Sequence, residues 1–533
     1  MKAITVLYGG SLGKEAFVPL EGECSGGKSS FELALEQAKQ FPHTEKVVLF
    51  GLNGCDYPGF PAEDAGFSII RSDKWTRKQV LQAISGVQAG YEMAYFAWAD
   101  CPFLDPALAA ALAERHIRYA AEYSYADGFP YGFAPEILSA GTAGILFNID
   151  KDGDVPVDRD ALFQAIQKDI NAFDIETEIS PVDLRFHRIT LAADSRRNLL
   201  LVNRWLQACV KFPAAKDAAS LIGENPGMLR TLPSFYNIQV CEACPQSCSY
   251  CPWPGIASGG SAVMEPEKFE LILDKIVDYS GDAVISLSLW GELALHPQKT
   301  DLIRMVLRRP SLSLVIETSG IGWKPGELEE LAAAAKNIPA RTGTLLPAPL
   351  SWIVSLDAFD PNRYREIRGS GFTEAVNCAQ NLLKLFGKDA YVQAVRFKGA
   401  EDDIEAFYRH WKEISASQGN VIIQKYDDFC GRLPRLQASD LSPVKRRPCW
   451  HLMRDMYIAL DGTVLRCRED LGAYGGRDKN RPNVFERSLR EIWESAANGP
   501  ADLMPGSELY LKHSVGNYPD YCADCDEYYT YNF

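Results

Sequence analysis

Eight of the fourteen cysteines stand in two groups, Cys241, Cys244, Cys248 and Cys251, then Cys449, Cys467, Cys522 and Cys525. The first group falls within eleven positions of "QVCEACPQSCSYCPWPG". Thiolates this close together suit a metal ion or cluster. Two ligand sets are open. All four could form one zinc site, although zinc ribbons usually place a dozen or more residues between their two pairs and here there are three. Alternatively Cys244-x3-Cys248-x2-Cys251 holds three corners of a [4Fe–4S] cube, one iron stays open, and Cys241 is surplus. The spacing of the second group permits a zinc site. Cys24, Cys55, Cys101, Cys209, Cys378 and Cys430 are isolated, as small buried hydrophobes are.

A chain of 533 residues needs several domains to carry these sites. With 47% hydrophobic and 23% charged residues it is globular. The net charge of −15 argues against nucleic acid or an anionic membrane surface as the main partner. No apolar run reaches the roughly 18 residues of a membrane span, and "MKAITVLYGG" reads as a first strand, so a cytoplasmic, reducing location is expected.

Residues 1–208 alternate strand-like runs ("AITVLYG", "KVVLFG", "MAYFAWAD") with helix-like ones ("SFELALEQAKQ", "TRKQVLQAISGVQ"), which predicts an αβα layered domain. Residues 209–233, with three prolines and two glycines, read as a linker. Residues 234–440 carry six further strands, "FYNIQV", "AVISLSL", "LSLVIET", "WIVSLD", "AYVQAVRF" and "NVIIQK", alternating with helices, which predicts a parallel (β/α)6 partial TIM barrel. In such folds chemistry gathers at the C-terminal strand ends, and the first cysteine group directly follows the first of these strands. Residues 441–533 form a small cysteine-rich domain that a metal centre could staple. Within it "MYIALDGTVLRC" reads as a hairpin turning at Asp461-Gly462 in a type I′ turn.

The triplet Cys244-x3-Cys248-x2-Cys251, with aromatic Tyr250 before its last member, resembles the signature of the radical S-adenosylmethionine (SAM) superfamily. Three later strand ends extend the resemblance. "SLWGELALHP" is similar to the family's GGE motif with Trp290 for the first glycine, "ETSG" to its Thr-Asn-Gly element, and "SLDAFDPNRYREIRGSG" to its "SLDG…Y…IRG" segment. The resemblance implies that Cys244, Cys248 and Cys251 hold a [4Fe–4S] cluster. It implies that Tyr250, Gly291, Glu292, Thr318, Ser355, Asp357 and Arg368 line the SAM site, with Tyr364 in the last motif. It also implies reductive cleavage of SAM to a 5′-deoxyadenosyl radical, fed by a one-electron donor such as flavodoxin or ferredoxin.

The stretch from Cys449 to Cys525 resembles the SPASM domain. That implies an auxiliary [4Fe–4S] cluster on Cys449, Cys467, Cys522 and Cys525, with zinc on the same thiolates as the alternative. In "KYDDFCGRL", after the sixth barrel strand, Asp427, Asp428 and Cys430 are candidate proton or hydrogen carriers at the barrel mouth.

The first domain resembles nucleotidyltransferases that activate sugars, a nucleotide-diphospho-sugar-transferase-like fold. "LYGGSLGKEAFVPLEG" supplies Lys14, "WADCPFLD" Asp100, "FPYGFAPEILS" Glu136 and "RFHRITLAADSRR" Asp194. The resemblance implies Mg²⁺ and a nucleotide at these residues, although the arginine-rich loop of that family is absent. The three-domain order resembles the spiro-SPASM family. The expectation is a radical SAM enzyme acting on a peptide or protein; the alternatives are a sugar or nucleotide-linked small molecule bound with help of the first domain, or a zinc-stabilised binding protein.

Overall fold

The computed structural model describes residues 1–209, 211–257, 259–341, 346–415, 419–472, 481–494 and 506–530. It forms two compact units, Met1–Thr231 and Leu232–Phe533. Among the described residues no helix is long and apolar enough to cross a membrane.

The first unit is built on seven strands: β1 (Ala3–Tyr8), β2 (Thr44–Leu52), β3 (Phe67–Ser72), β4 (Met93–Trp98), β5 (Tyr123–Asp127), β6 (Glu136–Ser139) and β7 (Ile175–Ile179). Their order in the sheet is β3-β2-β1-β4-β6-β5-β7. Every residue of β1 and β4 is buried, as near-continuous apolar strands covered on both faces must be. β1 runs parallel to β2 and β4, whereas β6 runs antiparallel to β4 and β5. The chain steps outward from β1 to β3, then returns to the other side of β1 with β4. The carboxyl edge at such a reversal is where α/β sheets place ligands. Helices Ser30–Ala38 and Arg77–Val87 start where Ser29 and Thr76 form capping boxes with Glu32 and Gln79.

Residues 209–233, expected as a linker, instead contain a helix, Ala215–Glu224, and fall with the first unit up to Thr231. Ala215, Ala218, Ala219 and Ile222 form its buried stripe, and the Ala215 N–H donates to Asp105 at 2.7 Å. Small alanines between prolines and glycines hid that stripe in the sequence.

In the second unit the strands β8 (Phe235–Ile238), β9 (Ala283–Ser286), β10 (Leu312–Thr318), β11 (Leu350–Ser355), β12 (Ala390–Arg396) and β13 (Val421–Lys425) pair in chain order, all parallel. The sheet stays open between β8 and β13. β14 (Asp455–Ile458) pairs parallel with the free edge of β8, and β15 (Val464–Leu465) adds antiparallel to β14. The C-terminal cysteine segment thus extends the barrel sheet. Only Gly462 of the β14–β15 turn has a positive φ, so the expected type I′ turn, which needs two, is not formed. The Gly462 N–H donates to the Ala459 carbonyl and the Ala459 N–H to Thr463, which is a type I turn closed by a left-handed glycine.

One buried group, His116, contributes an acid-sensitive part of the first unit's stability. His116 is held between the hydroxyls of Ser124 (2.8 Å) and Ser139 (2.9 Å), and burial lowers its pKa from 6.5 to about 4. The folded state therefore binds fewer protons than the unfolded chain between those values. The neutral ring's stabilisation is complete above pH 6.5 and is lost as pH falls towards 4, by about 3 kcal/mol. Burial of Glu136, which pushes its carboxyl up to about 7, changes stability the opposite way over this range, so the His116 effect is read as a difference: in urea unfolding of the full chain, the first unit's wild-type midpoint should fall relative to that of His116→Gln as pH drops from 6.5 towards 4.

Candidate functional site

The loop after β8 carries the first cysteine group. The Gln239 N–H donates to the Ile458 carbonyl, and Cys241 forms an isolated bridge with Val263. Cys241 is buried, with its thiol directed to the Ala243 carbonyl at 3.7 Å. Cys244 is exposed, and Cys248 and Cys251 are half-buried. Burial, with the neighbouring Cys248 and Cys244 adding to it, pushes the Cys251 thiol up to about 12.

These thiols are gathered, but loosely. Among the described residues, the side chains with ligand atoms all within 4.8 Å of one another are Asp427, Asp526 and Glu527, and neither cysteine set is packed that closely. With Zn–S bonds of about 2.3 Å, tetrahedral zinc brings its sulfurs to about 3.8 Å from each other. A cube with iron at its corners spreads its thiolates wider, and a set of thiolates is the donor chemistry such a cluster takes.

Gly291 clamps this loop. Its φ is +80°, and a Cβ there would stand 2.0 Å from the Cys241 carbonyl oxygen. Next to it the Glu292 N–H donates to the Ala243 carbonyl at 2.8 Å. The Glu292 carboxylate is buried and accepts from the Thr318 hydroxyl (2.7 Å), the Ser319 N–H (2.7 Å) and the Ala294 N–H (3.1 Å). The Thr318 hydroxyl itself accepts from Trp323 Nε1. Glu292 and Thr318, expected at the SAM site, are thereby joined to each other across the ends of β9 and β10.

Tyr250, Asp357 and Arg368 are likewise brought together, but as each other's partners. Arg368 Nη1 donates to Asp357 (2.6 Å) and to the Tyr250 hydroxyl, which itself donates to Asp357. Asp357 takes a left-handed φ of +65° at the end of β11 and accepts from the Val395 N–H at 2.8 Å. Arg368 also reaches Gln246, which the Tyr364 hydroxyl contacts at 3.3 Å. The polar ends of Tyr250, Asp357 and Arg368 therefore pin the cysteine loop to the barrel. Removing one partner of such a buried pair costs about 3–5 kcal/mol.

The barrel interior holds a polar layer around the expected Ser355, of which sequence reasoning missed Glu317 and Gln393. Exposed Glu317 accepts from the Ser355 hydroxyl (3.1 Å) and from Gln393 Nε2 (2.8 Å). Below it Phe235, Val284, Val315 and Ile353 form an apolar layer. Strand alternation across "LSLVIET" was the available signal for Glu317.

Five thiols meet at the second site. Cys449, Cys467, Cys522 and Cys525 all interact electrostatically, and burial pushes Cys522 up to about 12. Cys430, isolated in sequence, lies beside Cys525, and its nearness holds the Cys525 thiol below its usual range. Both Phe429 and Cys430 have positive φ, and this turn brings them to the site. Asp427 is ion-paired with Arg468 and accepts from the Phe429 N–H, while Asp428 accepts from the Gly431 N–H and Gln437. The two carboxylates shape the turn. An apolar cluster links the regions: Trp253, Leu289, Trp290, Phe429, Tyr457 and Leu465 pack together, with Cys251 and Cys467 both against it. Trp253 and Trp290 stack at 5.7 Å.

In the first unit Asp100, just after β4, and Asp194 also come together. Between them lies Arg159, which binds both Asp100 oxygens (2.8 and 2.6 Å) and Asp194 (3.0 Å). A carboxylate pair already bridged by a guanidinium does not fit Mg²⁺. Glu136 lies on β6, bonded by the Tyr123 hydroxyl, and burial raises its pKa to about 7. Lys14 is exposed in a short turn, Lys14–Phe17. Nothing in the sequence around Arg159, "VDRDALF", marked it.

Comparison with known proteins agrees with the geometry of the second unit. Residues 238–410 match the Radical SAM superfamily model, and residues 449–526 match SPASM, an iron–sulfur cluster-binding domain. An uncharacterized protein of Treponema pallidum (strain Nichols) is 36% identical over 384 residues, which is 70% of this chain and 98% of that protein. Streptococcus suis SuiB bound to S-adenosylmethionine is 17% identical with a TM-score of 0.36, over 50% of this chain and 66% of that one, just under two thirds of its length. A cytidylyltransferase from Leptospira borgpetersenii serovar Hardjo-bovis is 16% identical with a TM-score of 0.34, over 43% of this chain and 96% of that one. The two domains imply [4Fe–4S] clusters and SAM as the chain's cofactors. The chain belongs to the radical SAM superfamily of enzymes and carries a SPASM iron–sulfur domain after its barrel.

Proposed function

We propose that the protein modifies a peptide or protein substrate by radical chemistry, with the SAM-binding cluster held by Cys244, Cys248 and Cys251 and an auxiliary cluster held by Cys449, Cys467, Cys522 and Cys525. The observation that carries the first assignment is the separation of Cys241 from its three neighbours. Its carbonyl abuts Gly291 and its thiol faces the Ala243 carbonyl, so three thiols remain for the cluster. Held by Cys244, Cys248 and Cys251, a [4Fe–4S] cluster would supply the one-electron reduction that cleaves SAM and starts radical chemistry on the substrate.

The chain's own groups have definable tasks. Gly291 and Glu292 fix the loop's edge beside the SAM site. Asp357, Arg368 and Tyr250 hold it against β11. Ser355, with Glu317 and Gln393, offers hydroxyl, carboxylate and amide groups on the inner face of the barrel, where SAM and substrate would be oriented. Peptide substrates are supported by the SPASM match, and Cys430, adjoining Cys525, is placed to donate a proton or hydrogen near the auxiliary site. For the first unit we propose a nucleotide-diphospho-sugar-transferase-like fold, supported by its strand order with antiparallel β6 and by Asp100 at the β1–β4 reversal.

Anaerobic reconstitution tests this assignment. About eight irons per chain are expected from two [4Fe–4S] clusters. Cys244→Ala, Cys248→Ala or Cys251→Ala should each abolish 5′-deoxyadenosine formation, while Cys241→Ala should retain it; zinc in place of iron, or loss of cleavage in Cys241→Ala, would refute the ligand set. Cys467→Ala should lower iron to about four per chain, whereas Cys430→Ala should leave it unchanged. Gly291→Ala should fold with a displaced cysteine loop, seen as loss of the first cluster's iron and of SAM cleavage with the second cluster retained.

A further inference from the structure

We propose that Arg159 is the resident cation of the first unit: its guanidinium takes the place of a divalent metal between Asp100 and Asp194, and the unit performs no metal-dependent nucleotidyl transfer. The contact is two-pronged on Asp100, with parallel N–H···O bonds of 2.8 and 2.6 Å, and a third bond of 3.0 Å reaches Asp194. This is the fork geometry in which arginine binds carboxylates most strongly. The other Asp194 oxygen accepts from Asn198 Nδ2 at 2.7 Å, so it too has a protein partner.

The cation is also held across its plane. The Arg159 guanidinium lies 4.2 Å from the Trp98 ring centroid and 5.1 Å from that of Tyr131, and both aromatic faces attract it. Asp100 is buried, with an exposure of 2%. Magnesium requires a near-octahedral oxygen shell at about 2.1 Å. To admit it, both carboxylates would have to leave Arg159, setting its half-buried guanidinium, stripped of its partners, beside a dication.

The turn on the β1 side of the reversal is also closed by protein. A Cβ on Gly10 would meet Trp75 at 2.4 Å and the Tyr8 hydroxyl at 2.8 Å, and the Tyr57 hydroxyl donates to the Gly9 carbonyl at 3.1 Å. The glycines in this turn serve close packing.

Titration of the full-length, anaerobically reconstituted protein with Mn²⁺, following the free-ion EPR signal, tests this inference independently of the radical chemistry. Wild type and Asp100→Asn should bind equal amounts of Mn²⁺. Arg159→Ala should gain one site per chain, with an affinity at least about tenfold above any wild-type binding, and adding Asp100→Asn should remove it. Circular dichroism checks that each variant folds. If Asp100→Asn does not fold, Asp194→Asn, at a half-buried position, serves as the wild-type comparison. One wild-type Mn²⁺ abolished by either asparagine substitution would overturn the proposal, as would a folded Arg159→Ala that gains no site.

Discussion

The buried ion pair between Asp357 and Arg368, shared with the Tyr250 hydroxyl, is the contact on which the second unit's chemistry depends. Three thiolates can hold a cluster only if the loop carrying them is fixed, and a loop of cysteine, proline and serine has little apolar surface with which to fix itself. The ion pair solves this from one side by tying Tyr250, between the second and third cysteines, to the end of β11. Gly291 solves it from the other, because its missing side chain lets the end of β9 close onto the Cys241 carbonyl. Each charge is compensated within the pair, so the arrangement tolerates its burial; an unpaired partner would not.

The departure of this chain from the usual GGE motif has a packing explanation. Trp290 replaces a glycine, and its ring stacks on Trp253 and leans on Phe429 at 5.7 Å. Those aromatics belong to the cluster against which Cys251 and Cys467 both pack. The indole therefore fills the space between the two cysteine sites with apolar matter. That covers Cys251 and Cys467 on one side and makes the C-terminal segment part of the barrel's core. The pairing of β14 with β8 does the same through the backbone, covering an edge that an open barrel would leave exposed.

The first unit shows how a site can be legible in sequence and altered in structure. Asp100 and Asp194 do converge at the β1–β4 reversal, as two carboxylates meant for a metal would. The charge placed between them is an arginine from a distant loop, flanked by Trp98 and Tyr131. A guanidinium carries one charge and cannot exchange with solvent, so the carboxylates become a structural joint between β4, the Arg159 loop and the helix Arg196–Ala208, whose Asn198 completes it.

The sequence alone determined what local spacing and period encode. Cys244, Cys248 and Cys251 stand at intervals that mark the radical SAM superfamily, whose model matches residues 238–410, and the six barrel strands declare themselves through apolar runs bounded by turns and helices. The strand-end motifs were visible for the same reason, since each is a short contiguous string. Only the tertiary structure decided which partners those residues take. Cys430 lies far in sequence from Cys525, and Arg159 from Asp100; Glu317 meets Gln393 only because β10, β11 and β12 stand side by side. Such pairs are set by strand order and by where turns aim the chain, and no interval along one strand or helix records them.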